Sequence, residues 1–98
     1  MKKAILLVSI VLALVPMGNA RAGLRDGIAA FNHKDFARAL REFLPLAEQG
    51  NPRAQMYLGG MYLFGYSVPR NPETALKWYQ RAARQGLPWA QYNLASLY

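Results

Sequence analysis

Residues 49–62 read QGNPRAQMYLGGMY, and residues 85–98 read QGLPWAQYNLASLY. The two stretches share the Gln-Gly pair, the proline, the Ala-Gln pair, a leucine and the final tyrosine, always at an offset of 36 residues. Upstream, the Ala-Leu pair at 39–40 recurs at 75–76 with the same offset. Agreement at one offset over so many positions predicts a structural repeat that governs the fold.

Each unit of the repeat is predicted to be a pair of helices. Asn51-Pro52 and Asn71-Pro72 are helix starts, because asparagine caps free amides and proline is tolerated at the first helical position. Small residues let the two backbones approach closely, and larger apolar residues fill the space beside them. Glycines end the helices. The structural repeat positions are Ala54, Leu58, Gly59, Tyr62, Gly65, Ala75, Trp78, Tyr79, Ala82, Ala83 and Gly86.

The rest of the chain divides around this unit. Residues 23–50 are predicted to form a first, less regular helix pair, with a turn at 32–34 and Asp35 as the cap of its second helix. Pro45 lies late in that helix and is expected to kink it or to loosen its last turn. Residues 51–86 form the full repeat, and residues 87–98 form the first helix of a further, incomplete repeat. The predicted fold is all-α, an antiparallel helix-pair solenoid of about two and a half repeats.

The segment 1–22 has the organisation of a secretory signal peptide. Lys2 and Lys3 make a basic start, residues 4–15 are apolar, and Ala20 and Ala22 are small residues at the positions that a signal peptidase inspects. Cleavage is expected after Ala22. A retained anchor is disfavoured, because the apolar run is shorter than the ~20 residues that span a bilayer. The sequence therefore predicts an exported bacterial protein, periplasmic or secreted, with no stable membrane span after cleavage.

The charge pattern argues against a nucleic-acid partner. The net charge is +7, and it falls to +4 without Lys2, Lys3 and Arg21 of the predicted signal peptide. The nine remaining basic residues are scattered and form no run. The chain also has no cysteine, so no disulfide bond stabilises the fold.

No catalytic, cofactor-binding or metal-binding residues stand out. His33 is the only histidine and lies in a predicted turn, and the five carboxylates show no paired spacing for acid–base chemistry. There is no cluster of metal ligands and no phosphate-binding loop. We therefore expect neither an enzyme nor a cofactor.

The repeat resembles the Sel-one-like repeat (SLR) family of the tetratricopeptide-like helical repeats. The resemblance is carried by AQMYLGGMY at 54–62, GYSV at 65–68, ALKWY at 75–79 and AARQG at 82–86. Residues 23–50 are similar to a generic tetratricopeptide unit. Two positions depart from the family: Ser67 replaces the second glycine of the turn, and Asn71 replaces an aspartate. The resemblance implies a right-handed superhelix and an adaptor role without catalytic apparatus.

By the same resemblance, the first helix of each pair lines a concave groove for a partner. The predicted protein-binding groove consists of Arg53, Met56, Gly60, Leu63, Phe64, Trp89, Tyr92 and Ser96. Arginine, methionine and aromatic residues are enriched in protein interfaces. An alternative for Leu63 and Phe64 is that they close the next layer of the core.

The functional prediction is an exported protein–protein interaction module, an adaptor or regulatory scaffold whose unknown partner lies in the cell envelope. One alternative is a cell-wall-related ligand binder or enzyme, similar to cysteine-rich relatives described as β-lactam-binding. Another is an inactive truncated piece of a longer repeat protein. Because residues 87–98 lack a second helix, we also expect that this helix frays, self-associates or docks on a partner.

Overall fold

The computed structural model describes residues 23–96, which form five helices. Residues 1–22 and 97–98 lie outside the described residues, and so do the predicted signal peptide and its cleavage site. Helix α1 covers residues 23–32, α2 Phe36–Glu48, α3 Pro52–Phe64, α4 Pro72–Arg84 and α5 Pro88–Ser96, with no strand in this part of the chain. None of these helices is both long and apolar enough to cross a membrane.

Three helices begin at a side-chain cap. The Oδ1 atoms of Asp35 and Asn51 accept hydrogen bonds from the backbone N–H groups of Arg38 and Ala54, at 3.3 and 3.0 Å. Asn71 caps α4 in the same way at 3.1 Å. Each bond satisfies an amide that has no partner inside its helix, and this fixes the starts of α2, α3 and α4.

The helix ends use residues in the left-handed conformation. Gly50 and Gly86 follow α2 and α4 with φ angles of 102° and 85°, so the repeated Gln-Gly pair marks two equivalent ends. Gly65 ends α3 with φ 75°. Lys34 takes this place after α1, with φ 63°. There the Asp35 N–H donates to Ala30 O at 2.8 Å, which closes the helix end.

The turn between α3 and α4 contains a non-glycine residue in the left-handed conformation. Ser67 has a φ angle of 59°, the left-handed conformation that glycine adopts without steric cost. Ser67 therefore occupies a position that glycine would occupy without strain. A non-glycine residue in this conformation costs about 1–2 kcal/mol.

Helices α3 and α4 pack closely at a glycine. A Cβ atom at Gly59 would lie 2.9 Å from the Tyr79 ring, and one at Gly60 would lie 3.3 Å from Tyr79 Oη. Real Cβ contacts are essentially never shorter than 3.0 Å, so the Tyr79 ring occupies the space that any larger residue at 59 would need. This glycine–aromatic contact joins the two helices of the repeat.

The first helix pair contains the same contact. A Cβ atom at Gly27 would lie 2.6 Å from the Phe43 ring. Phe43 precedes Tyr79 by 36 residues, whereas Gly27 precedes Gly59 by only 32. The difference arises because residues 33–35 connect α1 to α2, while the longer segment 65–71 connects α3 to α4. The two pairs are therefore alike in their packing.

The core runs between the pairs. Ala39, Phe43 and Ala47 of α2 are fully buried against Leu58 and Met61 of α3. The two pairs and the additional helix α5 confirm the predicted all-α helix-pair solenoid. Consecutive helices are antiparallel because their connections are short.

Pro45 does not loosen the end of α2. The helix continues to Glu48, and the Gln49 N–H donates to the Pro45 carbonyl at 3.1 Å. Of the two expected effects of Pro45, a kink or a loosened last turn, the second is therefore wrong. The Pro45 ring is exposed, so proline removes one hydrogen bond of the helix without entering the core.

Candidate functional site

Two adjoining pockets lie along the first helices of the pairs. The arginine pocket, of about 240 Å³, is lined by Leu24, Arg25, Ile28 and Arg53. The apolar pocket, of about 300 Å³, is lined by Arg53, Met56, Tyr57 and Leu87. Arg53 belongs to both linings, so the pockets form one continuous feature, here called the first-helix groove. It runs from α1 across α3 to the residue that precedes α5.

The spacing of the lining residues follows from helix geometry. Arg53, Met56 and Tyr57 are separated by three and four positions, which places them on one face of α3. Leu24 and Ile28 have the same relation on α1. The cap at Asn51 and the proline at the first helical position fix the start of α3, and they thereby fix the place of Arg53 in its first turn.

The wall of the apolar pocket is held by aromatic contacts. The Tyr57 ring stacks on the buried Phe43 ring, with centroids 4.9 Å apart and planes 12° from parallel. Phe31 also contacts the Tyr57 ring edge-on, with the ring centroids 5.1 Å apart. Tyr57 is therefore a preorganised part of the wall. Tyr57 was not among the predicted groove residues, although its position four residues after Arg53 places it on the same helix face.

Hydrogen bonds of two side-chain amides connect the helices next to the apolar pocket. Gln55, which is 1% exposed, donates from Nε2 to Ala47 O at 3.0 Å. Gln85 donates from its Nε2 to Gln55 Oε1 at 3.0 Å and to Gly50 O at 2.9 Å. These bonds hold the end of α4 beside the start of α3. As a result Leu87, two residues after Gln85, completes the pocket next to Arg53.

The same bond recurs one repeat later. Gln91 donates from Nε2 to Ala83 O at 3.3 Å, 36 residues after the bond from Gln55 to Ala47. The Ala-Gln pair of the repeat motif thus has a physical purpose. Its glutamine hydrogen-bonds the last turn of the preceding helix and joins one pair to the next.

The structure brings together only some of the predicted groove residues. Arg53 and Met56 line the apolar pocket together. Gly60 lies against the Tyr79 hydroxyl and therefore faces α4. Tyr92 is 74% exposed on α5 and lines neither pocket. The side chains of Trp89 and Ser96 lie outside the described part.

Leu63 and Phe64 lie at the opposite end of α3 from Arg53, beside an aromatic cluster. Phe36 and Tyr66 stack with centroids 4.2 Å apart, and Phe31 contacts both rings edge-on. Phe64 stacks on Tyr66 at 5.6 Å and remains 61% exposed. Leu63 and Phe64 thus line neither pocket, and Phe64 is too exposed to close a layer of the core.

Burial raises the pKa of the Tyr79 phenol, which packs on Gly59 and does not reach the groove. Residues 23–96 contain no group of three or more His, Asp or Glu side chains that could hold a metal ion. The groups that line the groove are therefore the guanidinium groups of its arginines and its apolar side chains.

Residues 52–87 match the family model of the Sel1 repeat. The matched segment contains α3, the turn at Ser67, α4 and the residue Leu87 of the apolar pocket. Comparisons with curated proteins and with solved structures gave no significant match.

Proposed function

Because the chain carries a Sel1 repeat at residues 52–87, and Sel1 repeats generally mediate protein–protein interaction, we propose that it is an exported adaptor or regulatory scaffold. The observation that supports this proposal is the first-helix groove. It is open, it is continuous across two helix pairs, and its lining contains arginine, methionine and tyrosine. These residue types are enriched at protein interfaces.

The open shape of the groove suits a protein segment. Sites for small molecules bury most of the surface of their ligand, whereas both pockets of this groove are open to solvent. Here the two pockets of about 240 and 300 Å³ lie side by side and share a wall residue. Adjacent side chains of one extended peptide would fill such a pair of pockets.

Export is the second element of the proposal. It is supported by the basic, apolar and small-residue order of residues 1–22, which is the order of a signal peptide. We place the protein in the periplasm or outside the cell, with a partner in the cell envelope. The proposal also excludes catalysis, in keeping with the typical role of Sel1 repeats as non-catalytic scaffolds.

The groove can be tested by affinity capture from an envelope extract. The full chain is expressed so that the cell processes it, and it is used as bait together with two variants. Met56→Asp places a charge in the apolar pocket, while Arg38→Gln changes an exposed side chain on α2 outside both linings. We expect the parent and Arg38→Gln to retain the same proteins, and Met56→Asp to lose them.

Two outcomes would contradict the proposal. Equal capture by Met56→Asp, with an unchanged melting temperature, would show that the partner binds elsewhere. Retention of cell-wall fragments in place of proteins would support the ligand-binding alternative. N-terminal sequencing of the same preparation tests export, because a processed protein should begin at Gly23.

A further inference from the structure

We propose that the first-helix groove selects an extended segment in which an acidic residue lies beside an apolar residue. The carboxylate would occupy the arginine pocket, and the apolar side chain would occupy the apolar pocket. This inference rests on the proposed function, since it assigns the chemistry of the segment that the groove binds.

The charges of the arginine pocket are not balanced by its lining. Arg25 and Arg53 supply two guanidinium groups, and no carboxylate is among the described residues that line either pocket. Asp26 follows Arg25 in α1 but is not part of the lining. The 13 residues of α3 contain no acidic side chain. An anionic ligand would therefore meet two cations without displacing an internal partner.

The position of Arg53 adds to this preference. It lies in the first turn of α3, where the free N–H groups of a helix carry a partial positive charge. A guanidinium group can also donate two parallel hydrogen bonds to one carboxylate, which a lysine ammonium group cannot do with the same geometry. The structure therefore favours a carboxylate at this end of the groove.

The apolar pocket sets the second half of the recognition. Met56, Tyr57 and Leu87 present thioether, aromatic and aliphatic surface on the other side of Arg53. Methionine adapts its shape to different apolar partners, whereas the stacked Tyr57 ring is fixed. Because both pockets share Arg53, the two side chains that fill them must be close neighbours in the bound segment.

Charge and shape together favour a protein segment over a nucleic acid. A nucleic-acid site needs a row of cations that follows successive phosphates. The groove has only two arginines among the described residues that line it, and its other walls are apolar. An acidic and apolar peptide satisfies both kinds of surface.

A library of blocked heptapeptides tests the inference. The peptides have acetylated and amidated ends, so that every carboxylate belongs to a side chain, and the central residue is fixed as Glu, Gln or Lys while the others vary. The immobilised full chain, as processed by the cell, should enrich the Glu set. The enriched peptides should carry an apolar residue next to the glutamate or close to it.

The affinities of the best peptides then identify the residue responsible. Replacing the central Glu by Gln should weaken binding to the parent about tenfold, equivalent to about 1.4 kcal/mol. This preference should fall strongly in Arg53→Gln, where only Arg25 remains, fall less in Arg53→Lys, and remain unchanged in Arg38→Gln. It should also decrease as salt is raised, because partly exposed charges are screened.

The outcomes separate this inference from the proposed function. If peptides bind in the groove without a preference for Glu, the acidic specificity is wrong and the groove still binds protein. If Arg53→Gln keeps the full preference, the assignment of the carboxylate to the arginine pocket is wrong. If no peptide binds, and Met56→Asp captures the same proteins as the parent, then both the acidic specificity and the proposed protein-binding function of the groove are wrong. Preferential enrichment of the Lys set would directly contradict the assignment of the arginine pocket.

Discussion

Replacement of Gln55 by methionine should show how much the buried amide network contributes to the fold. The two side chains have similar length and volume, so the substitution removes hydrogen bonds without creating a large cavity. Two bonds disappear, the donation to Ala47 O and the acceptance from Gln85. Neither partner is left without any bond, because Ala47 O also accepts from the Gly50 N–H, and Gln85 also donates to Gly50 O.

Because both partners of Gln55 keep one hydrogen bond, the expected loss in the free energy of unfolding is limited. Each hydrogen bond contributes about 0.5–1.5 kcal/mol net, so the two together amount to about 2 kcal/mol. The apolar methionine avoids the cost of burying an amide, which offsets part of that loss. We expect the free energy of unfolding to fall by about 1–2 kcal/mol, and the melting temperature to fall by about 4–15 °C in a domain of this size.

The repeat supplies a matched control. Gln91 makes the equivalent bond to Ala83 O, but it is exposed and its bond is longer, at 3.3 Å. Gln91→Met should therefore cost less than about 0.5 kcal/mol, as surface substitutions do. Thermal and urea unfolding of the processed protein, followed by circular dichroism, would measure both variants. If Gln55→Met and Gln91→Met are equally stable, the network does not stabilise the junction and our reasoning is wrong.

Three further results are expected. Gly27→Ala should lower the free energy of unfolding by about 1–3 kcal/mol, since its Cβ would lie 2.6 Å from the Phe43 ring; urea unfolding that matches the parent would contradict this contact. Ser67→Gly should raise the melting temperature by a few degrees by removing the cost of a left-handed φ angle, whereas Ser67→Ala should give no gain. Mass spectrometry of the exported protein should give a mass that begins at Gly23, and an intact Met1 in the membrane fraction would refute cleavage after Ala22.

The repeat pattern predicted the fold because its key residues act locally. A cap such as Asn51 and a terminal glycine such as Gly86 determine where a helix begins and ends through bonds to their own neighbours. The offset of 36 residues nevertheless did not predict the contact between Gly27 and Phe43. The shorter connection between α1 and α2 shifts the first helix of that pair by four positions, so Gly27, and not Gly23 at the offset of 36, is the counterpart of Gly59.

The groove was harder to predict, because periodicity identifies the face of a helix but not what covers it. Leu63 and Phe64 fit the pattern of groove residues, yet they line neither pocket, and Tyr66 of the following turn stacks on Phe64. Arg53 fits the same pattern and lines both pockets.

The difference between the two ends of α3 depends on the connecting segments. At the Arg53 end, Gln85 bonds to Gly50 O and brings Leu87 beside the groove without filling it. At the other end, the longer connection at 65–71 folds an aromatic ring back onto the first helix pair. The open groove thus follows from a short, hydrogen-bonded junction between repeats. It follows that Gln85→Met, which releases this junction, should weaken peptide binding in the apolar pocket even though Gln85 is not among the residues of its wall.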